Sequence, residues 1–419
     1  MKNIKQILDD VLKDIQPDKN YEKEIFEKLN FIIKKINKNQ KNIKAILGGS
    51  GAKGTWLKTF DADIFVLFDY NKFKDKSDKL SDILEKILKN KFKKIIRLHG
   101  SRDHFQIKEK NFTFEIVPIL KINRAEQAKN ITDVSPLHSN WVSKHKNLIN
   151  EMKLAKQFCQ AQNLYGAESY IRGFSGYVCE IMVAHYGSFL NLLNNAAKWQ
   201  DKTIVDAGRH YKGKDVFKRV NTSKLISPLI VIDPVQKDRN AAAALSNEKF
   251  GYFKRAAREF LKKPSKFFFV NMGLSLTFEE LKNNSNKLIT INLAPLAGKI
   301  DVAGSKLLKI YEFLEQKLQK HGFKIIKSGW EWDKKESAVA YFLFDKKPLS
   351  KTVEIVGPPL AIKHHVEAFR RLHKKTHITG NKLFATEQRR YPKPEDLLKK
   401  IMQDEFVKER AKSAKLKIN

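Results

Sequence analysis

The chain has 419 residues, which predicts two to four domains if one domain takes about 150 residues. Lysine and arginine number 81 against 46 aspartate and glutamate residues, so the formal net charge is +35. This excess attracts polyanions and indicates a nucleic-acid partner, although a general preference for lysine on solvated faces would leave the same charge. We expect no membrane association, because Met1–Pro17 is too charged for a signal peptide and no apolar run reaches the roughly 18 residues of a membrane span.

The first third of the chain alternates between helical and β-like patterns, which predicts an α/β region with a small mixed sheet. Pro17 is expected to end the first helix and Pro118 to stop the last strand. The predicted helices cover residues 4–15, 25–36 and 80–88, and the predicted strands cover residues 43–47, 61–68, 94–98 and 112–117.

The rest of the chain is predicted to contain a mainly helical middle part and an α+β last part. Arg172–Gly176 interrupts the first helical stretch of the middle part. The predicted elements are helices over residues 152–193, 241–261, 306–319, 364–374 and 394–417, and strands over residues 226–232 and 338–344. Cys159 and Cys179 are the only cysteines, and they predict reduced thiols in a cytoplasmic protein instead of a disulfide framework or a zinc site.

Three carboxylates on two predicted strands form the main candidate site. Asp61 and Asp63 stand two residues apart, so their side chains point to the same face of one strand, and Glu115 stands on the other strand. Mg²⁺ prefers carboxylate oxygens, and two such ions can bind the attacking and leaving oxygens of a phosphoryl transfer. The turn Gly48–Ser50 offers backbone N–H groups and a hydroxyl to phosphate. A D-x-D pair alone is typical of solvated aspartates, but this combination favours nucleotidyl transfer.

Further motifs lie along nearly the whole chain. They are Ser135–His138, Leu164–Glu168, Arg172–Tyr177, Asp233–Val235 followed by Arg239-Asn240, Glu336–Val339 and Gly357–Leu360. Together with the three carboxylates they resemble the polymerase-β nucleotidyltransferase superfamily and, more narrowly, the archaeal (class I) CCA-adding enzymes, which are tRNA nucleotidyltransferases.

This resemblance implies an α+β multidomain fold with a nucleotidyltransferase (polymerase-β-like) head that contains a mixed sheet, a helical neck, an α+β body and a helical tail. We place the catalytic head at residues 1–145, the neck, for nucleotide and primer binding, at 146–265, and the body and tail, for tRNA binding, at 266–419. The implied reaction is untemplated addition of C, C and A to the tRNA 3′ end from CTP and ATP, with Mg²⁺ as cofactor. The implied partner is the acceptor stem and top half of tRNA, and the implied assembly is a homodimer.

The resemblance also assigns roles by position in the motifs. Asp61, Asp63 and Glu115 are expected to bind the metal ions, and Glu115 is also the candidate for activating the primer 3′-hydroxyl. Arg239 is expected to help to read the base. The expected contacts of the triphosphate are Ser50 and Lys53, and the other expected contacts of the nucleotide are His104, His138, Lys156, Tyr165 and Tyr177.

The chain departs from the family pattern at three positions. The third carboxylate is usually Asp and is Glu115 here, which adds a methylene between the backbone and the metal ligand. The residue after Ser50 is usually Tyr and is Gly51 here. Lys53 stands where the family usually has an arginine, so the charge is kept and the bidentate fork is lost. These departures bear on affinity and rate more than on the type of reaction.

Some of these residues also have a purely structural interpretation. Tyr165 and Tyr177 lie among apolar neighbours and would ordinarily be core aromatics, and Lys156 would be one more solvated lysine. His364, His365, His373 and His377 could suggest a metal cluster, because two histidines four residues apart, such as His373 and His377, can present two zinc ligands from one helix. The neighbouring arginines and lysines instead favour a basic helix that faces RNA. The basic segment Lys399–Lys417 is equally consistent with a solvated helix and with a phosphate-binding one.

Two other functions stay open at this point. A poly(A) polymerase-like terminal transferase would add long A tails from ATP alone. A non-catalytic RNA-binding protein would keep the fold without the reaction, because fold does not fix function.

Overall fold

A computed structural model describes residues 4–58, 62–109, 112–211, 215–271 and 286–418. The chain forms two compact units, Met1–Asn271 and Met272–Asn419. The predicted α+β multidomain class is confirmed. Within the described ranges, no helix has the length and apolar character needed to cross a membrane.

The first part of the N-terminal unit contains a five-stranded mixed sheet in the order β1-β2-β5-β4-β3. Its central neighbours β2 and β5 are parallel, and the other pairs are antiparallel. Apolar residues of α2 and α5, such as Ile32 and Leu84, share a core with Phe114 of β5. The elements are α1 Ile4–Ile15, α2 Lys19–Asn37, β1 Ile43–Leu47, α3 Gly49–Lys53, β2 Ala62–Asp69, α4 Tyr70–Phe73, α5 Leu80–Lys89, β3 Ile96–Leu98, β4 His104–Glu109, β5 Phe112–Lys121 and α6 Ser135–Ser143.

The prediction that Pro118 stops its strand is wrong, because β5 continues to Lys121. Proline lacks an N–H donor and is tolerated where no ladder hydrogen bond needs that donor. Pro118 pairs with Val66 on β2, whereas the pairing of β4 with β5 covers only Phe112 to Ile116. On that side the Pro118 carbonyl instead accepts a hydrogen bond from Arg102, at 3.1 Å.

The second part of the N-terminal unit is a helical bundle with a large aromatic core. Phe158, Phe189, Phe253 and Phe260 are fully buried in it, and α1 packs into this core through residues such as Val11. A two-stranded parallel sheet, β6 and β7, lies beside the helices. The elements are α7 Ile149–Ala161, α8 Gly176–Tyr186, α9 Phe189–Ala196, β6 Thr203–Asp206, α10 Asp215–Arg219, β7 Leu229–Ile232 and α11 Asn247–Lys262.

The helix predicted over residues 241–261 begins later than expected, at Asn247. The side chain of Asn240 accepts hydrogen bonds from the N–H groups of Val231 and Ala242, both at 2.9 Å, and these bonds tie the segment to β7. Ser246 then caps the helix by accepting from the Lys249 N–H. Side-chain capping of this kind satisfies N–H groups that the first turn leaves unpaired.

The C-terminal unit contains an antiparallel four-stranded sheet, β14-β8-β10-β9, and a three-stranded sheet, β11-β13-β12. The long helix α12 packs against β8 and β9, and α13 packs against β11. The elements are β8 Lys287–Pro295, α12 Ile300–Lys320, β9 Ile325–Trp332, β10 Ala338–Phe344, β11 Thr352–Pro359, α13 Lys363–Leu372, β12 Thr376–Thr379, β13 Lys382–Gln388, α14 Pro394–Ile401, α15 Glu405–Lys408 and β14 Ala411–Ile418.

The prediction of one basic helix over residues 394–417 is wrong. The segment forms two short helices and then the edge strand β14, which pairs with β8. Lysines alternate with less exposed residues along β14, so its pattern has the period of a strand that is solvated on one side. Similarly, His373 follows the end of α13 and His377 lies on β12. These two histidines therefore do not share a helix face, as the zinc interpretation required.

Candidate active site

Asp63 and Glu115 are direct neighbours on adjacent parallel strands. The register of β2 and β5 pairs their Cα atoms, and paired residues in a sheet project to the same face. On the next strand, Gln106 is paired with Glu115 and its Nε2 donates to Glu115 Oε1 at 3.0 Å. Asp61 lies outside the described residues. The structure thus brings two of the three predicted carboxylates together and adds Gln106, which the sequence reasoning missed.

The Gly48–Ser50 turn lies directly against Asp63. The Gly48 N–H donates to the Asp63 carbonyl at 2.8 Å. Gly49 has φ +54°, and a Cβ atom there would lie 1.7 Å from Asp63 Oδ2. Only glycine allows the turn to approach the carboxylate this closely. The two neighbouring carboxylates supply oxygen ligands of the kind that a divalent cation requires. Among the described residues, they do not form part of a group of three metal-binding side chains.

Glu180 on α8 binds both lysines that are predicted to contact the nucleotide, Lys53 and Lys156. Its Oε2 accepts from Lys53 Nζ at 2.9 Å, and its Oε1 accepts from Lys156 Nζ at 2.6 Å and from the Thr55 hydroxyl at 2.5 Å. Burial alone would raise the pKa of Glu180, but the charges of Lys156 and Lys53 outweigh burial and lower that pKa to about 2. We call Lys53, Thr55, Lys156 and Glu180 the Glu180 cluster.

Asp233, in the loop after β7, is a second buried carboxylate that binds several predicted site residues. It accepts from His138 Nε2 at 3.1 Å, from the Tyr177 hydroxyl at 3.2 Å and from Arg239 at 2.7 Å. The rings of His138 and Tyr177 are stacked, with centroids 4.1 Å apart. Burial alone would raise the pKa of Asp233, but its bond to His138, a backbone N–H bond and the charge of Arg239 hold that pKa at about 2. We call these four residues the Asp233 cluster.

Tyr165 is connected to the same region through the loop that precedes α8. Phe174 N–H donates to the Leu164 carbonyl at 2.7 Å, which folds the second motif back on the first. A Cβ atom added to Gly176 would lie 2.6 Å from the Tyr165 hydroxyl and 3.5 Å from Lys156 Nζ. Burial raises the pKa of the Tyr165 hydroxyl, so this group stays protonated. Both Tyr165 and Tyr177 also pack against the helical core, as their structural interpretation predicts.

Short helix α3 connects the carboxylate pair with the Glu180 cluster. It carries Ser50 in its first turn and Lys53 at its last residue. Lys53 Nζ also lies 5.2 Å from the centroid of the Tyr177 ring, which links the two clusters. His104 is placed apart from both clusters, at the start of β4 and two residues before Gln106. The alternation of a strand puts His104 on the face of Glu115.

The sequence reasoning missed Thr55, Glu180 and Asp233 as functional residues. Glu180 stands in the apolar sequence of α8, where a lone carboxylate gives no periodic signal. Asp233 lies inside a motif that carried the family resemblance, and its place in that motif could have identified it as a functional residue. Both are completely buried, and buried carboxylates are normally paired with cations or hydrogen-bond donors.

Three family models match this chain. Residues 29–133 match a nucleotidyltransferase domain, residues 150–270 match the second domain of tRNA nucleotidyltransferase, and residues 301–412 match the C-terminal domain of CCA-adding enzyme. A solved cytoplasmic RNA terminal U-transferase aligns with a TM-score of 0.51 and 13% identity, over 64% of this chain and 99% of that one. This second likeness supports the fold alone.

Curated relatives match over most of their length. The CCA-adding enzyme of Nanoarchaeum equitans is 34% identical over 362 residues, which are 85% of this chain and 87% of the relative. The CCA-adding enzyme of Methanocaldococcus jannaschii is 33% identical over 418 residues, which are 95% of this chain and 91% of the relative.

Gly49→Ala tests the approach of the turn to Asp63. The added Cβ would occupy the position of the carboxylate, so we expect the affinity for Mn²⁺, measured by paramagnetic resonance, to fall by about tenfold or more. Gly187→Ala is the control, because Gly187 also has a positive φ but has nothing within 4 Å of its added Cβ. Equal Mn²⁺ affinities of the two variants would contradict this geometry.

The buried carboxylates predict an acid-sensitive fold. The ordinary pKa values of Asp233 and Glu180 are 3.8 and 4.5, and the folded chain lowers both to about 2. A lowered carboxyl pKa stabilises the fold above the ordinary value, and that stability is lost as pH falls through the folded value. In urea denaturation, the free energy of unfolding of Asp233→Asn should therefore be about 2 kcal/mol lower than that of the parent at pH 7. Near pH 2 the difference should be much smaller. A loss of stability that does not depend on pH would contradict the lowered pKa of Asp233.

Proposed function

This chain belongs to the family of CCA-adding enzymes, and we propose that it extends the 3′ end of a tRNA by C, C and A, taken from CTP and ATP without a nucleic-acid template. The observation that carries the proposal is the pairing of Asp63 with Glu115 beside the Gly48–Ser50 turn. The primer 3′-hydroxyl attacks the α-phosphate, a new phosphodiester bond forms, and pyrophosphate leaves.

In this proposal Asp61, Asp63 and Glu115 hold Mg²⁺. When bound, two divalent ions stabilise the charge on the attacking and leaving oxygens. The carboxyl groups of Asp63 and Glu115 fit this role because they are hard oxygen ligands on the same face of the sheet. Glu115 is also the residue proposed to accept the proton of the 3′-hydroxyl, and its bond to Gln106 holds one of its carboxylate oxygens in place.

We assign the triphosphate to Ser50 and Lys53 on α3. This helix begins at the turn beside Asp63, and Ser50 and Lys53 are three residues apart, so they lie on the same side of it. The Lys53 ammonium group supplies a positive charge at the end of this helix, and this charge would attract the phosphates.

Most of the nucleoside contacts are assigned to residues of the Asp233 cluster. The Asp233 cluster fixes the imidazole of His138, the phenol of Tyr177 and the guanidinium of Arg239 around one carboxylate. Arg239 retains a side-chain exposure of 32% and can reach a base. Tyr165, Lys156 and His104, which lie outside the Asp233 cluster, complete the assigned set. One pocket for both C and A fits a site in which the RNA itself contributes to base selection.

The domain boundaries form part of the proposal. The head covers residues 1–145, the neck residues 146–265, and the body and tail residues 266–419. With a net charge of +35, the protein is suited to bind the phosphates of the tRNA acceptor stem and top half. We further propose a cytoplasmic location, which the two cysteines predict, and a homodimer, which the family resemblance implies.

A polymerization assay separates this function from its two rivals. The substrate is a tRNA that lacks its 3′ end, with Mg²⁺ and labelled CTP and ATP, supplied separately and together. We expect addition of two C residues from CTP, completion by one A when ATP is present, and then arrest. Unlimited addition of A from ATP alone would favour a poly(A) polymerase-like enzyme, and no incorporation would favour a non-catalytic RNA-binding protein.

Asp63→Ala tests the proposed metal site in the same assay. We expect incorporation to fall by at least about a thousandfold, because one of the carboxylates that stabilise charge in the transition state is lost. Binding of tRNA, measured by filter retention, should change by less than about twofold, since the phosphate contacts remain. Asp201→Ala, an exposed acidic position of the same unit, is the control. Normal incorporation by Asp63→Ala would remove Asp63 from the site.

A further inference from the structure

We propose that Gln106 is a positioning residue for the metal site, and that it acts by restricting the side chain of Glu115. Glu115 is one methylene longer than the aspartate that is usual at this position, and the amide group of Gln106 holds that longer side chain. The affinity for a divalent ion should therefore depend on Gln106 only while residue 115 is a glutamate. The inference rests on the proposed function, in which Asp63 and Glu115 hold the ion.

Gln106, Glu115 and Asp63 form one row across three neighbouring strands. The register pairs Gln106 of β4 with Glu115 of β5, and it pairs Glu115 with Asp63 of β2. Side chains of residues paired in this way project from the same face of a sheet and interact with one another. Glu115 is the middle member of the row, with a second carboxylate on one side and an amide on the other.

The amide of Gln106 is bonded to the carboxylate of Glu115. Gln106 Nε2 donates to Glu115 Oε1 at 3.0 Å, and the bond is partly buried. A hydrogen bond to an ionised acceptor is roughly twice as strong as one between neutral groups. A third carboxylate at position 106 would repel Glu115, whereas the neutral amide donates to it and leaves the negative charge of the site unchanged. The amide is therefore suited to orient a metal ligand.

The two bonded side chains match in length. Glutamate and glutamine have the same number of carbon atoms between the backbone and the terminal group, so from directly opposite positions the two terminal groups extend equally far from the sheet. An aspartate at position 115 would end one methylene closer to the sheet and would withdraw from the Gln106 amide. The additional methylene also adds a rotatable bond to Glu115, and the hydrogen bond restricts the resulting freedom before an ion binds.

The opposite face of the sheet keeps this pair in register. Phe105 of β4 and Phe114 and Ile116 of β5 are buried in the core. A slip of one residue would turn these apolar side chains out of the core, which opposes any other pairing of the two strands. The backbone thus sets Gln106 opposite Glu115, and the effect of the side-chain bond can be tested by substitutions on the solvated face.

Gln106→Met keeps the approximate length of the side chain and removes the N–H donor. We expect the affinity of the full chain for Mn²⁺, measured by paramagnetic resonance, to fall about tenfold, as is common when a group that orients a metal ligand is lost. Lys108→Met is the matched control, because Lys108 is the next residue of β4 on the same face, is exposed and pairs with Thr113. The control should not lower the Mn²⁺ affinity.

A double-mutant cycle with Glu115→Asp separates positioning from a general structural role. In the Glu115→Asp background, Gln106→Met should lower the Mn²⁺ affinity by no more than about twofold, because the shorter carboxylate is not held by the amide. An equal loss in both backgrounds would show that Gln106 acts independently of Glu115 and would overturn the inference. An unchanged affinity of Gln106→Met in the parent background would overturn it as well.

Asp63→Ala distinguishes failure of this inference from failure of the proposed metal site. If Asp63→Ala lowers the Mn²⁺ affinity and Gln106→Met does not, the metal site stands and Gln106 has no positioning role. If Asp63→Ala leaves the affinity unchanged, the ion does not bind at this pair of carboxylates, and the proposed metal site is wrong. If Gln106→Met does not fold, Gln106→Asn replaces it in the same cycle, because its amide is one methylene too short to match Glu115.

Discussion

The candidate site depends on one backbone feature, the parallel pairing of β2 with β5. Their register sets Asp63 opposite Glu115, and a slip by one residue would turn one of the two side chains to the opposite face of the sheet. The apolar residues of the same strands fix this register, because Ile64, Phe114 and Ile116 are buried in the core beneath. The packing that stabilises the fold therefore also positions the carboxylates that the proposed chemistry needs.

Two buried carboxylates extend that order from the sheet to the helices. Glu180 binds the lysine at the end of α3, and Asp233 binds side chains from α6, α8 and the loop after β7. A buried charge is costly unless it is paired, so each carboxylate holds its partners in place. The basic side chains that the sequence predicts as nucleotide contacts are thus also bonded to carboxylates inside the protein. Their orientation is therefore fixed before a nucleotide binds.

The sequence predicts the elements with strong periodicity and the residues of specific motifs. The first helix, β1 and the D-x-D strand follow from apolar spacing, and residues such as Asp63 and Tyr177 follow from the motifs. The prediction for Pro118 was wrong because the sequence does not show that β4 pairs with β5 only as far as Ile116. The prediction for β14 was wrong because spaced lysines fit a helix as well as an edge strand. Glu180 could not be predicted, since its partners lie 127 and 24 residues away in the chain and meet only on folding.

Direct location of the metal ions tests the central claim, that Asp63 and Glu115 form one binding site. Crystals grown with Mn²⁺ and a non-hydrolysable ATP analogue would show the ions as peaks of anomalous scattering. The account predicts a peak coordinated by carboxylate oxygens of both Asp63 and Glu115, with the triphosphate extending toward Lys53. A peak held without Glu115, or a triphosphate bound away from the Gly48–Ser50 turn, would contradict it.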